Sequence, residues 1–395
     1  MLFQTLDDKQ ECVGVYIDGE IYYGDVPEGL TGTWSYAPYL DGRDIDYAGL
    51  FCGGLDCGHV CPEALKDQWE EKTDKLKAFL RSFQESKVDL HENCFFELVP
   101  SRFLLEYCEL KNKITQHVLD NYPKPKNYDF MLGITKLANQ LRNQKVNLDL
   151  SSLNGEMSSF RTRQWKKKLA SLPPYIHYNI YGTKTGRLTT KRNSFPILTL
   201  AKELRKVIKP QNDWFIELDF NAAELRTLLA LSGQEQPEQD IHTWNAEHVY
   251  NGQVTRDEAK KRIFAWLYNP ISKDKLSAGT YDRDSVLDKH WDGEQVRTFY
   301  DRIIPADKHH ALNYIIQSTT SDTFLRRVLA VNKLLQEKRS KIAFCIHDSL
   351  VLDFAHEDRE ELLNIVKEFS KTDLGTFKVN VQAGKNFGEM KEMKI

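Results

Sequence analysis

The chain has 395 residues, room for two or three ordinary domains, and its 41% hydrophobic and 28% charged side chains describe a globular protein. No apolar run approaches the roughly 20 residues of a membrane span, and the acidic N-terminal stretch does not read as a secretory signal. The net charge of −3 hides a polarity: residues 1–60 carry eleven acidic against two basic side chains, and residues 161–210 carry thirteen basic against one acidic. Such asymmetry suggests that the second segment meets a polyanion and the first does not. Seven cysteines, unevenly spread, suit a reducing compartment.

Taken in chain order, residues 11–24 alternate around Asp18-Gly19 and predict a β-hairpin with a tight turn. Residues 30–62 bear glycines and cysteines and read as irregular. Residues 63–150 space their apolar side chains as helices do, predicting a long helical hairpin and one further helix, punctuated by Pro62, Pro100, Pro123 and Pro125. Residues 214–220 (WFIELDF) predict a short buried strand, and the following AAELRTLLALS a helix. A helix over 255–268 is signalled by a capping box of Thr255 and Glu258, with Pro270 closing it. Residues 341–354 predict two apolar strands flanking His347, Asp348 and Ser349.

Asp219 ends one apolar strand and Asp348 sits at the tip of an apolar hairpin. Carboxylates held so rigidly on neighbouring strands suit a clamp on two Mg²⁺ ions, which stabilise both the attacking and the leaving oxygen of an in-line phosphoryl displacement. Mg²⁺ takes few protein carboxylates and fills its shell with water and substrate phosphates, so two aspartates suffice.

At this point the pattern resembles a known family. LDFNAAELR at 218–226 resembles motif A of the family A DNA polymerases, the bacterial DNA polymerase I type, and IHDSL at 346–350 resembles their motif C. TKTGRLTT at 183–190, preceded by YN at 178–179, is similar to the segment upstream of motif A. Arg256, Lys260, Phe264 and Tyr268 match the motif B helix, and Asn313 and Gln317 a later palm helix. DIHTWNAEHVY at 240–250 and VNVQAGKNF at 379–387 resemble the family's intervening segment and closing strand. The matches run in the family's order over about 174–395. Independently of the family, four residues recurring every four positions stay on one stripe of a helix, and an Arg and a Lys on it suit a triphosphate.

The resemblance implies an α/β (α+β) fold, a right-hand polymerase with a palm sheet, helical fingers and a helical thumb. It implies template-directed addition of dNTPs to a primer 3′-hydroxyl in DNA replication, with Asp219 and Asp348 as catalytic metal ligands for two Mg²⁺ ions, Mn²⁺ substituting. It makes Glu224, His242, Arg256, Lys260, Phe264 and Tyr268 the dNTP site. Glu224 would exclude a 2′-hydroxyl, and Phe264 in place of Tyr implies discrimination against dideoxynucleotides. Arg187, Asn313, Gln317 and His347 would meet primer–template DNA. The minor groove presents similar acceptors for every base pair, so these side chains would check shape rather than sequence. Basic residues within 161–168 and 202–209 would contact backbone phosphates.

The domains expected are an N-terminal extension (1–62), a thumb-like helical region (63–150), a first palm segment with motif A (151–232), fingers (233–308) and a second palm segment with motif C (309–395). Several positions depart from the family: Ser349 where motif C has Glu, Ala222 where motif A has Gln, Asn269 then Pro270 where motif B has Gly, and His309 where the palm helix has Arg. The short stretch between Tyr268 and Asn313 implies compact fingers, a trait of phage or organelle enzymes. Asp18-Gly19-Glu20 matches the acidic pair of a proofreading exonuclease, but it lies in the hairpin turn and its companion motifs do not follow, so no exonuclease is expected in this chain. Cys52, Cys57, His59 and Cys61 lie within ten residues and are a candidate structural zinc site, but the spacing lacks paired C-x2-C knuckles and suits buried or free thiols better. The acidic N-terminus is expected to dock a protein, such as a separate exonuclease or processivity subunit, rather than DNA. An intracellular, cytoplasmic protein is expected, in the host cytoplasm if phage-encoded, with no membrane partner. Alternatives left open are a single-subunit RNA polymerase, a catalytically weakened DNA-binding relative, and a translesion or primer-repair polymerase.

Overall fold

The computed structural model describes residues 1–6, 14–90, 93–156, 159–269 and 271–394, and the chain divides into two compact units, 1–139 and 140–395. In the first unit, β1 (Gly14–Ile17) and β2 (Glu20–Tyr23) form the expected hairpin, and Gln4–Thr5 adds a third short strand beside β1. Asp18 (φ 44°) and Gly19 (φ 89°) make the turn. Two left-handed residues in a row match the right-handed twist of the flanking strands. The acidic triplet Asp18-Gly19-Glu20 is therefore this turn and its exit. Residues 11–13, where the hairpin was expected to begin, lie outside the described residues.

Three helices follow: α1 (Lys66–Glu85), α2 (Ser101–Asn121) and α3 (Tyr128–Arg142). They are the expected helical hairpin and further helix. Residues 1–62 do not stand apart from them. Ala48, Cys52, Cys57, Val60 and Cys61 share an apolar core with Trp69 of α1 and with Leu110, Ile114 and Val118 of α2. Gln4 donates from Nε2 to Asn112 Oδ1 (2.8 Å) and Thr115 Oγ1 (2.9 Å). The expected boundary at 62/63 is thus absent, because the apolar side chains of 48–61 need the helices to leave water. The chain divides at 139/140 rather than at 150/151.

The same core removes the zinc site. His59 lies outside on Asp56 (Nδ1 to Oδ1, 2.9 Å), while Cys52, Cys57 and Cys61 are buried. Burial raises the pKa of all three thiols, that of Cys57 to about 12, whereas zinc binds thiolates. Among the described residues no three His, Cys, Asp or Glu side chains are grouped to hold a metal ion.

The second unit opens with the basic helix α4 (Phe160–Ser171), whose N-cap Ser159 accepts from the amide of Thr162. Then come β3 (Trp214–Phe220), α5 (Ala223–Leu231), α6 (Arg256–Tyr268), the long α7 (Lys308–Leu334), β4 (Lys341–Ile346), β5 (Ser349–Phe354), α8 (Leu362–Ser370), β6 (Val379–Gly384) and the short β7 (Lys391–Glu392). The strands form one antiparallel sheet in the order β4-β5-β3-β6-β7. The alternation of β3 sorts its faces. Phe220, on one face, stacks on Phe369 of α8 at 4.5 Å between ring centroids, and Phe324 of α7 meets Phe369 edge-on. The other face carries Glu217 and Asp219, with Phe215 closing its far end against Phe344 and Phe387.

Thr255 and Glu258 form the expected capping box of α6. Pro270, expected to close that helix, lies outside the described residues. The buried side of α6 (Ile263, Trp266, Leu267) packs with Leu225 and Leu228 of α5 and with Ala311, Ile315 and Ile316 of α7. Phe264 and Tyr268 pack half-buried against the edge of this core, and Arg256 and Lys260 on the same stripe are exposed.

Candidate active site

Asp219 is the penultimate residue of the central strand, and Asp348 sits in the two-residue turn between β4 and β5. The turn is tight because His347 takes the left-handed conformation (φ 53°). The register sets Asp219 opposite Ser349 on one side and Asn380 on the other. Tyr178 holds the edge strand beneath the turn. Its hydroxyl donates to the carbonyl of Cys345 (2.6 Å) and accepts from the amide of Cys345 (2.9 Å). These bonds satisfy a backbone that has no further strand beyond it.

The two aspartates share a negatively charged, partly desolvated site. The pKa of Asp219 is pushed up to about 7, first by burial and then by Glu217, with Asp348 adding to the effect and Asn380 and Lys260 opposing it. Burial also raises Asp348, against the pull of Arg187 and His347. Asn380 Nδ2 approaches Asp219 Oδ2 at 3.5 Å. Arg187 bridges two acids: Nη2 donates to Glu224 Oε1 at 2.6 Å and lies 3.9 Å from Asp348 Oδ2. The other oxygen of Glu224 accepts a short bond from the Tyr268 hydroxyl, which Gln317 also contacts. Burial and Glu224 together raise Tyr268 far above the usual phenol range, so it stays a protonated donor. A continuous network therefore joins Asp348, Arg187, Glu224, Tyr268 and Gln317, and Asp219 stands beside it, coupled to Asp348 through charge.

Further along the α6 stripe, Phe264 stacks on Tyr268 (6.1 Å) and lies tilted against His242 (5.9 Å). His242 is buried and its Nδ1 has no hydrogen-bond partner. Arg256 turns to Asp240, donating from Nε and Nη2 to its two oxygens at 3.0 Å each. Asp240 caps the helix Ile241–Trp244 through the amide of Thr243 and also accepts from Asn221 Nδ2 (2.8 Å). Its carboxyl is held far below the usual range, Arg256 being the largest stabilising partner against burial.

Of the other expected residues, His347 is exposed at the hairpin tip. Asn313 sits one helical turn before Gln317, with its Oδ1 buried and unpartnered, and lines a small cavity with Tyr268, Arg283 and Lys308. Two neighbours were missed in the sequence. Glu217 lies two residues before Asp219 and hence on the same strand face, a signal that the period of two supplies. Asp240 directly precedes the short helix that carries His242.

No family model matches the chain. It is 24% identical over 258 residues to the thermostable DNA polymerase I of Thermus aquaticus, covering 50% of this chain and 31% of that protein. It is 23% identical over 245 residues to the corresponding enzyme of Thermus thermophilus (49% and 30%) and 22% identical over 273 residues to DNA polymerase I of Borreliella burgdorferi (54% and 30%). The matched region spans about a third of those relatives. Among solved structures, the POL domain of Pol1 from M. smegmatis, in complex with DNA primer-template and dNTP, aligns with a TM-score of 0.67 at 11% identity, covering 98% of this chain and 95% of that one. The fold is that of a polymerase domain.

Proposed function

We propose that the chain is a DNA polymerase of the family A type, which extends a primer 3′-hydroxyl on a DNA template with deoxynucleotides, releasing pyrophosphate. The observation that carries this reading is the pairing of Asp219 and Asp348 at the strand end and hairpin tip, joined to the α6 stripe through Arg187, Glu224 and Tyr268. The carboxylates supply oxygen donors and an excess of negative charge, which fits a hard divalent cation, Mg²⁺ or Mn²⁺. Asp219 and Asp348 would hold it. When bound, it supplies charge stabilisation to the attacking and leaving oxygens of phosphoryl transfer.

The protein's own groups account for positioning. Lys260 and Arg256 are placed along one stripe for a triphosphate, with His242 Nδ1 beside them as an unused donor. Phe264 and Tyr268 offer flat surfaces for the sugar and base. Glu224, fixed by two donors, stands where its carboxylate meets a 2′-hydroxyl. Arg187, Asn313, Gln317 and His347 would face the primer–template, with basic side chains of α4 and of Lys202–Val207 on backbone phosphates. We assign the sheet to the palm, residues around α6 to the fingers and α1 and α2 to the thumb. The acidic residues of 1–60 suit a protein partner, such as a separate exonuclease or processivity subunit. Among the described residues no helix is long and apolar enough to cross a membrane.

Extension of a labelled primer on a DNA template with Mg²⁺, run in parallel with dNTPs and with NTPs, tests the reading. Templated extension with dNTPs is expected. Extension only with NTPs would assign an RNA polymerase instead, and none with either would overturn the proposal.

A further inference from the structure

The polar face of the sheet holds a carboxylate that no motif assigned. Glu217 stands two residues before Asp219 on the central strand, so both side chains leave the same face. Ser349, directly across from Asp219 on β5, donates from Oγ to Glu217 Oε1 at 2.6 Å. The hairpin thus presents a serine beside Asp348, and that serine grips an acid from the neighbouring strand. Ser349 is buried, and its hydroxyl fixes Glu217 Oε1. On the resemblance drawn above, position 349 is where an acidic residue was expected.

We propose that Glu217 is a positioning residue of the two-aspartate site, supplying from β3 the third carboxylate that β5 lacks. This rests on the polymerase reading and specifies it. Glu217 is not a direct ligand. Its head is tied to Ser349, and no three acidic side chains are grouped as a cage among the described residues. Mg²⁺ and Mn²⁺ sites of this kind keep several waters, and an anchored carboxylate beside the pair accepts hydrogen bonds from those waters and orients them. Outer partners of this sort typically contribute roughly 10- to 100-fold to metal affinity. Ser349 then has a task of its own, because without it the long Glu217 side chain swings free.

The test is Mn²⁺ binding to the full chain on primer–template DNA, followed by electron paramagnetic resonance, for wild type, Glu217→Gln, Ser349→Ala and the exchange Glu217→Ser with Ser349→Glu. Glu217→Gln is expected to weaken Mn²⁺ binding roughly 10-fold or more with DNA affinity and melting temperature unchanged. Ser349→Ala is expected to weaken it less, and the exchange to restore it. Unchanged binding in Glu217→Gln, or an exchange no better than that variant, overturns the proposal. Primer extension by the wild type separates the two levels. Extension with unchanged Mn²⁺ binding in Glu217→Gln sinks this inference alone, whereas lost Mn²⁺ binding without any extension by the wild type sinks the polymerase reading alone.

Discussion

His242 is buried beside Phe264 with Asp240, Asp257, Arg256 and Lys260 around it, and burial lowers its pKa from 6.5 to about 4. At neutral pH it is an uncharged imidazole, so under the proposed function it would offer a nucleotide a hydrogen bond and not a charge. The sign of the linkage follows. Between about pH 6.5 and 4 the unfolded chain takes up a proton that the folded chain refuses, so the stability tied to a neutral His242 is lost as pH falls through that window. Replacing His242 with Gln should flatten the acid limb of the unfolding temperature between those values. An unchanged slope would place the titration elsewhere. The aspartates show what a sequence reveals at this scale. Asp219 and Asp348 stand out in the sequence because one closes an apolar strand and the other sits at the tip of an apolar hairpin. The period of two puts Glu217 on the face of Asp219, but its bond to Ser349 depends on register, a long-range property that local pattern does not carry.

At the scale of elements, Arg226 of α5 is fully buried and, among the described residues, its hydrogen bonds go to carbonyl and amide oxygens rather than carboxylates. It donates to the carbonyls of Asn221 (2.8 Å), Pro237 (2.8 Å) and Gln239 (3.0 Å), and to Asn221 Oδ1 (3.2 Å). The motif's arginine thus ties the loop after α5 to the end of β3 and sets the position of Asp240 and the helix bearing His242. Arg226→Leu removes these donors and leaves buried acceptors unsatisfied, at roughly 1–3 kcal/mol for such a group. A clear fall in unfolding temperature is expected, with weaker nucleotide binding, and a variant as stable as the wild type would contradict this account. Gly186 is a second such tie. At φ 77° its absent Cβ would lie 2.7 Å from Arg302 Nη2, which is paired with buried Asp322 at 2.7 Å. Strand and helix types were readable from period and caps, as the capping box of α6 shows. The loop partners of Arg226 at Pro237 and Gln239, and the Arg302 and Asp322 that crowd Gly186, were not, since they come from other segments that only packing brings near.

At the scale of the whole molecule, the two units differ in charge. The first bears the acidic N-terminal stretch, and the second displays α4, whose Arg163, Lys167 and Lys168 are exposed and whose Lys168 caps the ring of Trp165 at 4.6 Å. If these side chains neutralise phosphates, replacing all three with Ala should reduce the slope of log affinity against log salt for primer–template binding by roughly 2 to 3. An unchanged slope would remove α4 from the DNA path. Residues 1–62 share a core with the helices that follow, since Cys52, Cys57 and Cys61, whose spacing made them candidate ligands as well as candidate buried thiols, are apolar core residues against α1 and α2. Spacing alone does not distinguish a thiol that faces a metal from one that faces leucines and isoleucines.

The central claim is that Asp219 and Asp348 together carry nucleotidyl transfer. It is tested most directly by extending a labelled primer on a DNA template with Mg²⁺ and dNTPs, comparing the wild type with Asp219→Ala and Asp348→Ala after confirming that all three bind the duplex. Two-metal stabilisation amounts to several kcal/mol, so each variant should lose roughly 1,000-fold or more in rate while retaining DNA. Extension by either alanine variant at a rate near that of the wild type would contradict the account.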